Sequence, residues 1–319
     1  MFKIVILVTG GAGFIGRCVV KKLLEKKYEV VIFDNLENGR LENLDEFKNN
    51  PYLKQVYISD IRNKQDIQDL FSNYKFNICI HLAAQINVQE SIEFPEKSFE
   101  INVIGTYNIL ESARTYNTKV ILIGTCMVYD VAEAKSAISE EHRVKPISPY
   151  AGSKLAAEEL ALSYYYGLNL PVVVLRPFNT YGPFQKTNME GGVLSIFIMH
   201  QLNNKKLLVY GDGTQTRDFL YVEDCADFII KATENDKCVG EIINAGTGRD
   251  ISINELALLI VKDIKRIKHV EHHHPQSEIM KLVCDNSKAK NLLNWEPKTS
   301  LKEGISKLET WIKEKEGIS

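Results

Sequence analysis

Val8-Thr9-Gly10-Gly11-Ala12-Gly13-Phe14-Ile15-Gly16 closes one apolar run, Lys3–Val8, and opens an amphipathic one, Gly16–Lys27. Its glycines fall at Gly10-x-x-Gly13-x-x-Gly16. At such a junction glycine lets the backbone turn sharply and come close to a phosphate. The helix that follows offers free N–H groups and the positive end of its dipole. A glycine triplet alone is weak evidence, because many are only tight turns. Here it sits between a strand pattern and a helix pattern, and Asp34 ends the next strand. That context reads as a dinucleotide site. Asp34 can accept bonds from both adenosine ribose hydroxyls and would repel a 2′-phosphate. No arginine adjoins it, and Arg40 lies several residues downstream, so NAD is favoured over NADP.

Outward from this turn the rhythm repeats. Glu29–Phe33, Gln55–Ile58, Ile78–Leu82, Lys119–Ile123 and Leu170–Leu175 are short β-branched runs, with helical patterns at Lys64–Tyr74 and Phe94–Tyr116 between them. Near-continuous apolar strands separated by helices predict a parallel sheet covered on both faces, a doubly wound (Rossmann) α/β domain. After Pro177 the alternation breaks: a glycine-rich polar stretch covers Gly182–Gly192, a helix is expected over Val193–Asn203 and a strand over Leu207–Tyr210. One more sheet strand is expected at Glu241–Ala245, then helices near Asn254–Ile264, Ser287–Leu293 and Leu301–Lys315. The expected division is a Rossmann domain over residues 1–178, with a returning segment near 211–246. A smaller C-terminal α/β substrate subdomain takes 179–210 and 247–319.

Composition narrows the class of ligand. The 319 residues are 45% hydrophobic and 25% charged, ordinary for a globular chain. Lys+Arg 39 against Asp+Glu 41 leaves a net charge of -2, which offers no field for nucleic acid or an anionic membrane. A small-molecule ligand is the better expectation. The six cysteines form no C-x-x-C pair and sit mostly in apolar runs, which points to a reducing compartment and no disulfide framework. No signal-peptide pattern and no membrane-length apolar run occur, so a cytoplasmic protein is expected.

Tyr150-Ala151-Gly152-Ser153-Lys154 opens another helical stretch, and positions four apart share a helix face, so phenol and ammonium project together. A neighbouring cation lowers a tyrosine pKa and lets the phenolate act as a general base. Gly124-Thr125-Cys126-Met127-Val128-Tyr129 follows the fifth strand, and Thr125 would present a hydroxyl at the carboxyl edge of the sheet. Asp60-Ile61 after the third strand could meet the adenine amino group. His81-Leu82-Ala83-Ala84-Gln85 ends the fourth strand with small residues suited to a close cofactor; a lone His81 there is more often a packed core histidine than a catalyst.

Glycine turn, Asp34, Thr125 and the Tyr150/Lys154 pair, in this order, resemble the extended short-chain dehydrogenase/reductases, specifically their NAD-dependent nucleotide-sugar epimerase/dehydratase group. The resemblance extends over Asn102-Val103-Ile104-Gly105-Thr106, Arg176-Pro177-Phe178-Asn179-Thr180-Tyr181-Gly182-Pro183, Tyr210 to Val222, Ser287-Lys288-Ala289 and Trp295-Glu296-Pro297. It implies catalysis by Tyr150, Lys154 and Thr125. It implies cofactor contacts from Gly10, Gly13, Phe14, Ile15, Gly16, Asp34, Asn35, Asp60, Ile61, Leu82, Ala83, Ala84, Asn102, Tyr150, Lys154 and Pro177. It further implies a nucleotide-diphosphate sugar held by Gln85, Thr125, Asn179, Val193, Tyr210, Arg217 and Glu278, with Arg217 on the diphosphate.

Two departures stand out. Where many members carry Arg-x-Gly-Asp, this chain has His272-His273-His274-Pro275-Gln276-Ser277-Glu278, which leaves the nucleotide open. Consecutive histidines rarely converge on one ion, so no metal is expected. Where members that eliminate water carry an acid after the threonine, this chain has Cys126-Met127. That favours 4-epimerisation through a 4-keto intermediate over uronate decarboxylation, and both over 4,6-dehydration. A non-catalytic NAD-binding regulator is the reading from a different class; the retained Thr125, Tyr150 and Lys154 speak against it. The resemblance also implies a homodimer, with Phe99, Val103, Tyr107 and Leu110 on one helix and Leu155, Leu160, Leu162 and Tyr166 on another meeting a partner.

Overall fold

The computed structural model describes residues 4–132, 136–187 and 192–318. Its centre is a seven-stranded sheet whose pairs are all parallel. The strands are β1 (Val5–Thr9), β2 (Glu29–Asp34), β3 (Leu53–Ile58), β4 (Ile78–His81), β5 (Lys119–Ile123), β6 (Val172–Pro177) and, after a long excursion, Ile242–Ala245. From edge to edge the first six run β3-β2-β1-β4-β5-β6, and Ile242–Ala245 closes the row beside β6. The order reverses between β1 and β4, which opens a crevice at the carboxyl ends of those strands.

Both faces of the sheet are buried, so neither alternate set of side chains needs to be polar. Ile6, Val8, Val30, Ile32, Ile80, Ile121, Val173 and Ile243 face one core, shared with α1 (Phe14–Glu25). Leu7, Val31, Phe33, Cys79, Val120, Leu122, Val172 and Val174 face the other. That second core is covered by α2 (Lys64–Tyr74) and by the helical stretch after β4. The stretch comprises α3 (Val88–Glu93), α4 (Pro95–Phe99) and α5 (Thr106–Tyr116). A π-type turn, Glu100–Gly105, joins α4 to α5 without a break. The single helix expected from Phe94 thus starts one residue later and carries a bulge; such bulges favour functional positions.

Helix α6 (Pro149–Leu168) begins on an N-cap that the sequence reading passed over. Ser148 accepts the Ala151 N–H, and Pro149 takes the first helical position, where its missing N–H costs nothing.

Beyond β6, β7 (Asn179–Tyr181), α7 (Val193–Leu202), β8 (Leu207–Tyr210), β9 (Thr216–Arg217) and β10 (Phe219–Tyr221) build small sheets outside the main one. α8 (Val222–Thr233) then packs its buried Ala226, Phe228 and Ile229 into the core shared with α1, and leads to β11 (Ile242–Ala245). β12 (Ile251–Ser252), α9 (Ile253–Val261), β13 (Ile267–Val270), β14 (Lys281–Leu282), α10 (Ser287–Leu293) and α11 (Leu301–Glu316) complete the chain. α9 starts on a capping box, Ser252 with Glu255. No helix among the described residues is long and apolar enough to cross a membrane.

Candidate active site

A cavity of about 520 Å³ lies along the carboxyl ends of the central strands. Gly10, at φ +71, turns the chain out of β1, and a side chain there would strike the Ala83 backbone. The first turn of α1 follows from Gly13 with no side-chain cap and no acid, so its N–H groups and dipole are left for an anion. At the end of β2, Asp34 is buried, and its carboxylate accepts the Ala12 N–H at 2.9 Å and the Leu36 N–H at 2.8 Å. Burial pushes its pKa up, against the pull of those two amides. Its remaining lone pairs suit hydroxyl donors. Glycine turn, open helix end and buried acceptor together fit a dinucleotide.

Phe14, Ile15, Gly16, Asn35, Ile61, Leu82, Ala83, Ala84 and Pro177 line the same cavity. So does Asp60, but it also pairs with Arg62 and accepts from Asn35 at 2.8 Å. The Arg62 guanidinium and Asn35 amide hold its pKa down to about 2. As a fixed carboxylate it remains an acceptor for an amino group.

Beyond β5 the wall changes character. Thr125, Cys126, Met127, Tyr150, Lys154, Asn179, Val193 and Arg217 line it. Thr125 is buried and its Oγ1 accepts the Met127 N–H at 3.2 Å, while its side chain also reaches the Tyr150 phenol. Lys154 is 6% exposed and donates from Nζ to the Ile123 carbonyl at 2.6 Å. Burial drives its pKa down to about 8. Burial also drives the Tyr150 phenol up to about 12, with the Thr125 hydrogen bond pulling the other way. The expected lowering of the phenol by Lys154 is therefore not what the protein alone shows: desolvation outweighs the Thr125 hydrogen bond, and the neighbouring Cys126 and Glu158 add to the rise. Cys126 is buried, and its thiol is pushed up to about 12, so it stays protonated near neutrality.

Four expected contacts fall elsewhere. Asn102 does not line the cavity; the π-type turn directs its carboxamide inward, where Oδ1 accepts the Gln85 N–H and Nδ2 donates to the Gln85 carbonyl and Ser153 Oγ. Gln85 is likewise absent from the lining and spends its side chain on the Asn87 carbonyl, Glu90 and Ser98. Tyr210 meets the His272 ring edge-on and the His273 ring at a tilt, outside the lining. Glu278 is taken up by Arg217 and by His272, whose Nε2 lies 2.9 Å away. Arg217 also donates from Nη1 to the Thr216 and Ile279 carbonyls, which leaves Nε and one Nη2 proton for a ligand.

His81 belongs to the scaffold. Burial lowers its pKa to about 3, so the ring is neutral. Thr106 donates to the Asn102 carbonyl and must accept from His81 Nε2–H, and Nδ1 then accepts the Thr9 hydroxyl. Sequence reading missed the lining residues Ile86, Val88, Thr180, Gln185 and Phe219. No local pattern flags them: Thr180 and Phe219 lie within the short strands β7 and β10, and Val88 opens α3.

The GDP-mannose 4,6 dehydratase family model matches residues 7–308. Pal from Bacillus thuringiensis is 57% identical, with a TM-score of 0.96 over 98% of this chain and 99% of that one. The UDP-glucose 4-epimerase of Mycolicibacterium smegmatis is 34% identical over 312 residues, 97% of this chain and 98% of the relative. The dTDP-glucose 4,6-dehydratase of Bacillus anthracis, solved in complex with NAD, is 31% identical with a TM-score of 0.88, covering 98% of each chain.

Proposed function

The chain belongs to the GDP-mannose 4,6 dehydratase family, among the extended short-chain dehydrogenase/reductases that epimerise or dehydrate nucleotide sugars, and from that premise we propose an NAD-dependent 4-epimerase of a nucleotide-diphosphate hexose of the UDP type. One observation carries this reading. Among the described residues, the carboxylates lining the cavity are Asp34, Glu37 and Asp60, all at the β2–β3 end. Around Thr125 and Tyr150 the wall offers Cys126 and Met127 instead, which cannot replace a carboxylic acid in expelling a hydroxyl. Epimerisation requires no such acid.

In this reading Tyr150 takes the proton of the sugar 4-hydroxyl and later returns it. Thr125 donates to the same oxygen and fixes its distance from the phenol. Lys154 holds the nicotinamide ribose, while Arg217, with its two free N–H groups, and Asn179 anchor the diphosphate, so the hexose can turn over without escaping. NAD, which the Gly10–Gly16 turn and Asp34 would hold, would supply a reversible hydride acceptor for C4 and a positive ring charge that opposes the burial penalty on the Tyr150 phenolate. Asp34 selects NAD over NADP by charge. The active unit in this reading is a homodimer.

The test is incubation of the purified protein with a panel of UDP- and dTDP-sugars in deuterium oxide. The expected product has the mass of its substrate and no deuterium at C5, because only the C4 hydrogen moves. A product lighter by water or carbon dioxide overturns the reading.

A further inference from the structure

Beneath the Tyr150–Lys154 face lies an ion pair that this chemistry does not use. Glu158 is 0% exposed and Arg176, on β6, 2%. Arg176 donates to Glu158 Oε2 from Nε at 2.9 Å and from Nη2 at 2.7 Å. The guanidinium is stacked on the Tyr129 ring, 4.8 Å from its centroid. Tyr129 in turn donates to Asn244 Oδ1 on β11 at 2.9 Å, and the Asn244 N–H donates to Glu140 at 2.7 Å. Among the described residues the second carboxylate oxygen, Oε1, makes no hydrogen bond of normal geometry, although the Thr125 N–H nearby pulls the carboxyl down. It is pressed against Gly124, where any side chain would collide with it. A buried pair of this kind gains little stability over an apolar pair of the same shape, so its retention calls for another role.

We infer that Glu158, braced by Arg176, is a positioning residue that docks the Tyr150–Lys154 face of α6 on the end of β5 and sets the charge around both catalytic groups. The inference deepens the proposed function and rests on Tyr150 being its base. Tyr150, Lys154 and Glu158 recur every four residues and share one helix face. Gly124, the residue pressed by Oε1, directly precedes Thr125, so the same carboxylate fixes the height of the threonine against the tyrosine.

The groups facing this face are few. Lys154 feels Glu158 on its own helix. From β4, His81 faces Lys154 but burial keeps it neutral. Tyr150 feels Glu158 and, from the β5 end, Cys126 and Thr125. Glu158 itself is pushed up by burial, against the pull of Arg176, Lys154 and the Thr125 amide, and the guanidinium it faces keeps its charge. The Glu158 charge raises the pKa of Lys154 and of Tyr150 alike, so removing it lowers both.

The test uses NAD-loaded protein. Phenolate ultraviolet absorbance is followed against pH for the native protein minus Tyr150→Phe, and for Glu158→Gln minus Glu158→Gln/Tyr150→Phe. Glu158→Gln should move the Tyr150 titration, and the pH profile of turnover, to lower pH by about one unit. Because Glu158→Gln leaves Arg176 buried without its partner, Glu158→Gln/Arg176→Met is measured as well. It removes both charges and should fold, with a shift in the same direction. Superimposable titrations in a folded variant overturn the inference and leave Tyr150 as base. A native titration with no Tyr150-dependent component overturns the reading of Tyr150 itself.

Discussion

As the proposed base, Tyr150 must release a proton that its half-buried position holds to about 12, so the question at the residue scale is what makes the phenolate tolerable. Lys154 touches the Ile123 carbonyl rather than the phenol and sits near its own midpoint at about 8. In the proposed reaction the phenol would therefore depend on the Thr125 hydrogen bond and on the positive ring charge that NAD would supply. Tyr150→Phe removes the one ionisable oxygen and little volume. Turnover should fall at least ~100-fold, while NAD affinity by equilibrium titration stays near native. A variant turning over near the native rate removes Tyr150 from the mechanism. Asp34 and the Tyr150/Lys154 pair were readable from the chain because their meaning lies in spacing along one turn or one helix. Gln85 and Asn102 were misread for the opposite reason: residues 17 apart bind each other, and that pairing, not their strand-end or helix position, decides where they point.

At the element scale, the site depends on how closely α6 lies against the end of β5. A capped start at Ser148 and Pro149 sets the register that puts Tyr150 in the first turn and Lys154 one turn on. Gly124 sets the approach, because Glu158 of α6 and Arg176 of β6 both crowd it. Gly124→Ala should therefore cost about 1–3 kcal/mol in denaturant unfolding. Turnover should fall about 10- to 100-fold as Thr125 moves with its neighbour. Native stability and rate in this variant would show that α6 has room to spare. The run of strands and helices was legible in the chain because buried parallel strands leave continuous apolar runs. The π-type turn at Glu100–Gly105 was not, since no residue type marks an inserted position in a helix; it is set by packing against α6 and β4.

Over the whole molecule, the sheet order places the glycine turn, after β1, and Thr125 with the α6 face, after β5, on either side of the reversal between β1 and β4, so that both line one crevice. The later segments bring Asn179, Val193 and Arg217 over that crevice. The outer faces of α4, α5 and α6 are less uniform than the expected stripes. Leu110 and Leu162 are buried in their own core, whereas Phe99, Tyr107 and Tyr166 are 54%, 37% and 71% exposed. Exposed aromatics on adjoining helices are what a partner copy would cover. Light scattering at micromolar concentration should give twice the 36.2 kDa of one chain. Tyr107→Glu/Tyr166→Glu should return it to a monomer with an unchanged circular dichroism spectrum. A native monomer refutes the dimer.

The chain by itself determined the strand sequence, the glycine turn, the acidic residue that ends β2 and the Tyr–Lys spacing, because each is written within a few consecutive residues. Tertiary structure alone decided which polar groups face the cavity and which are consumed beneath it. Asn102, Gln85, Tyr210 and Glu278 found partners distant in sequence, and a hydrogen bond or ring contact already made inside the fold withdraws a side chain from a ligand. Glu158 shows the converse. Its position one turn past Lys154 was plain in the chain, but its weight comes from Arg176 on β6 and from a burial that no local pattern reveals.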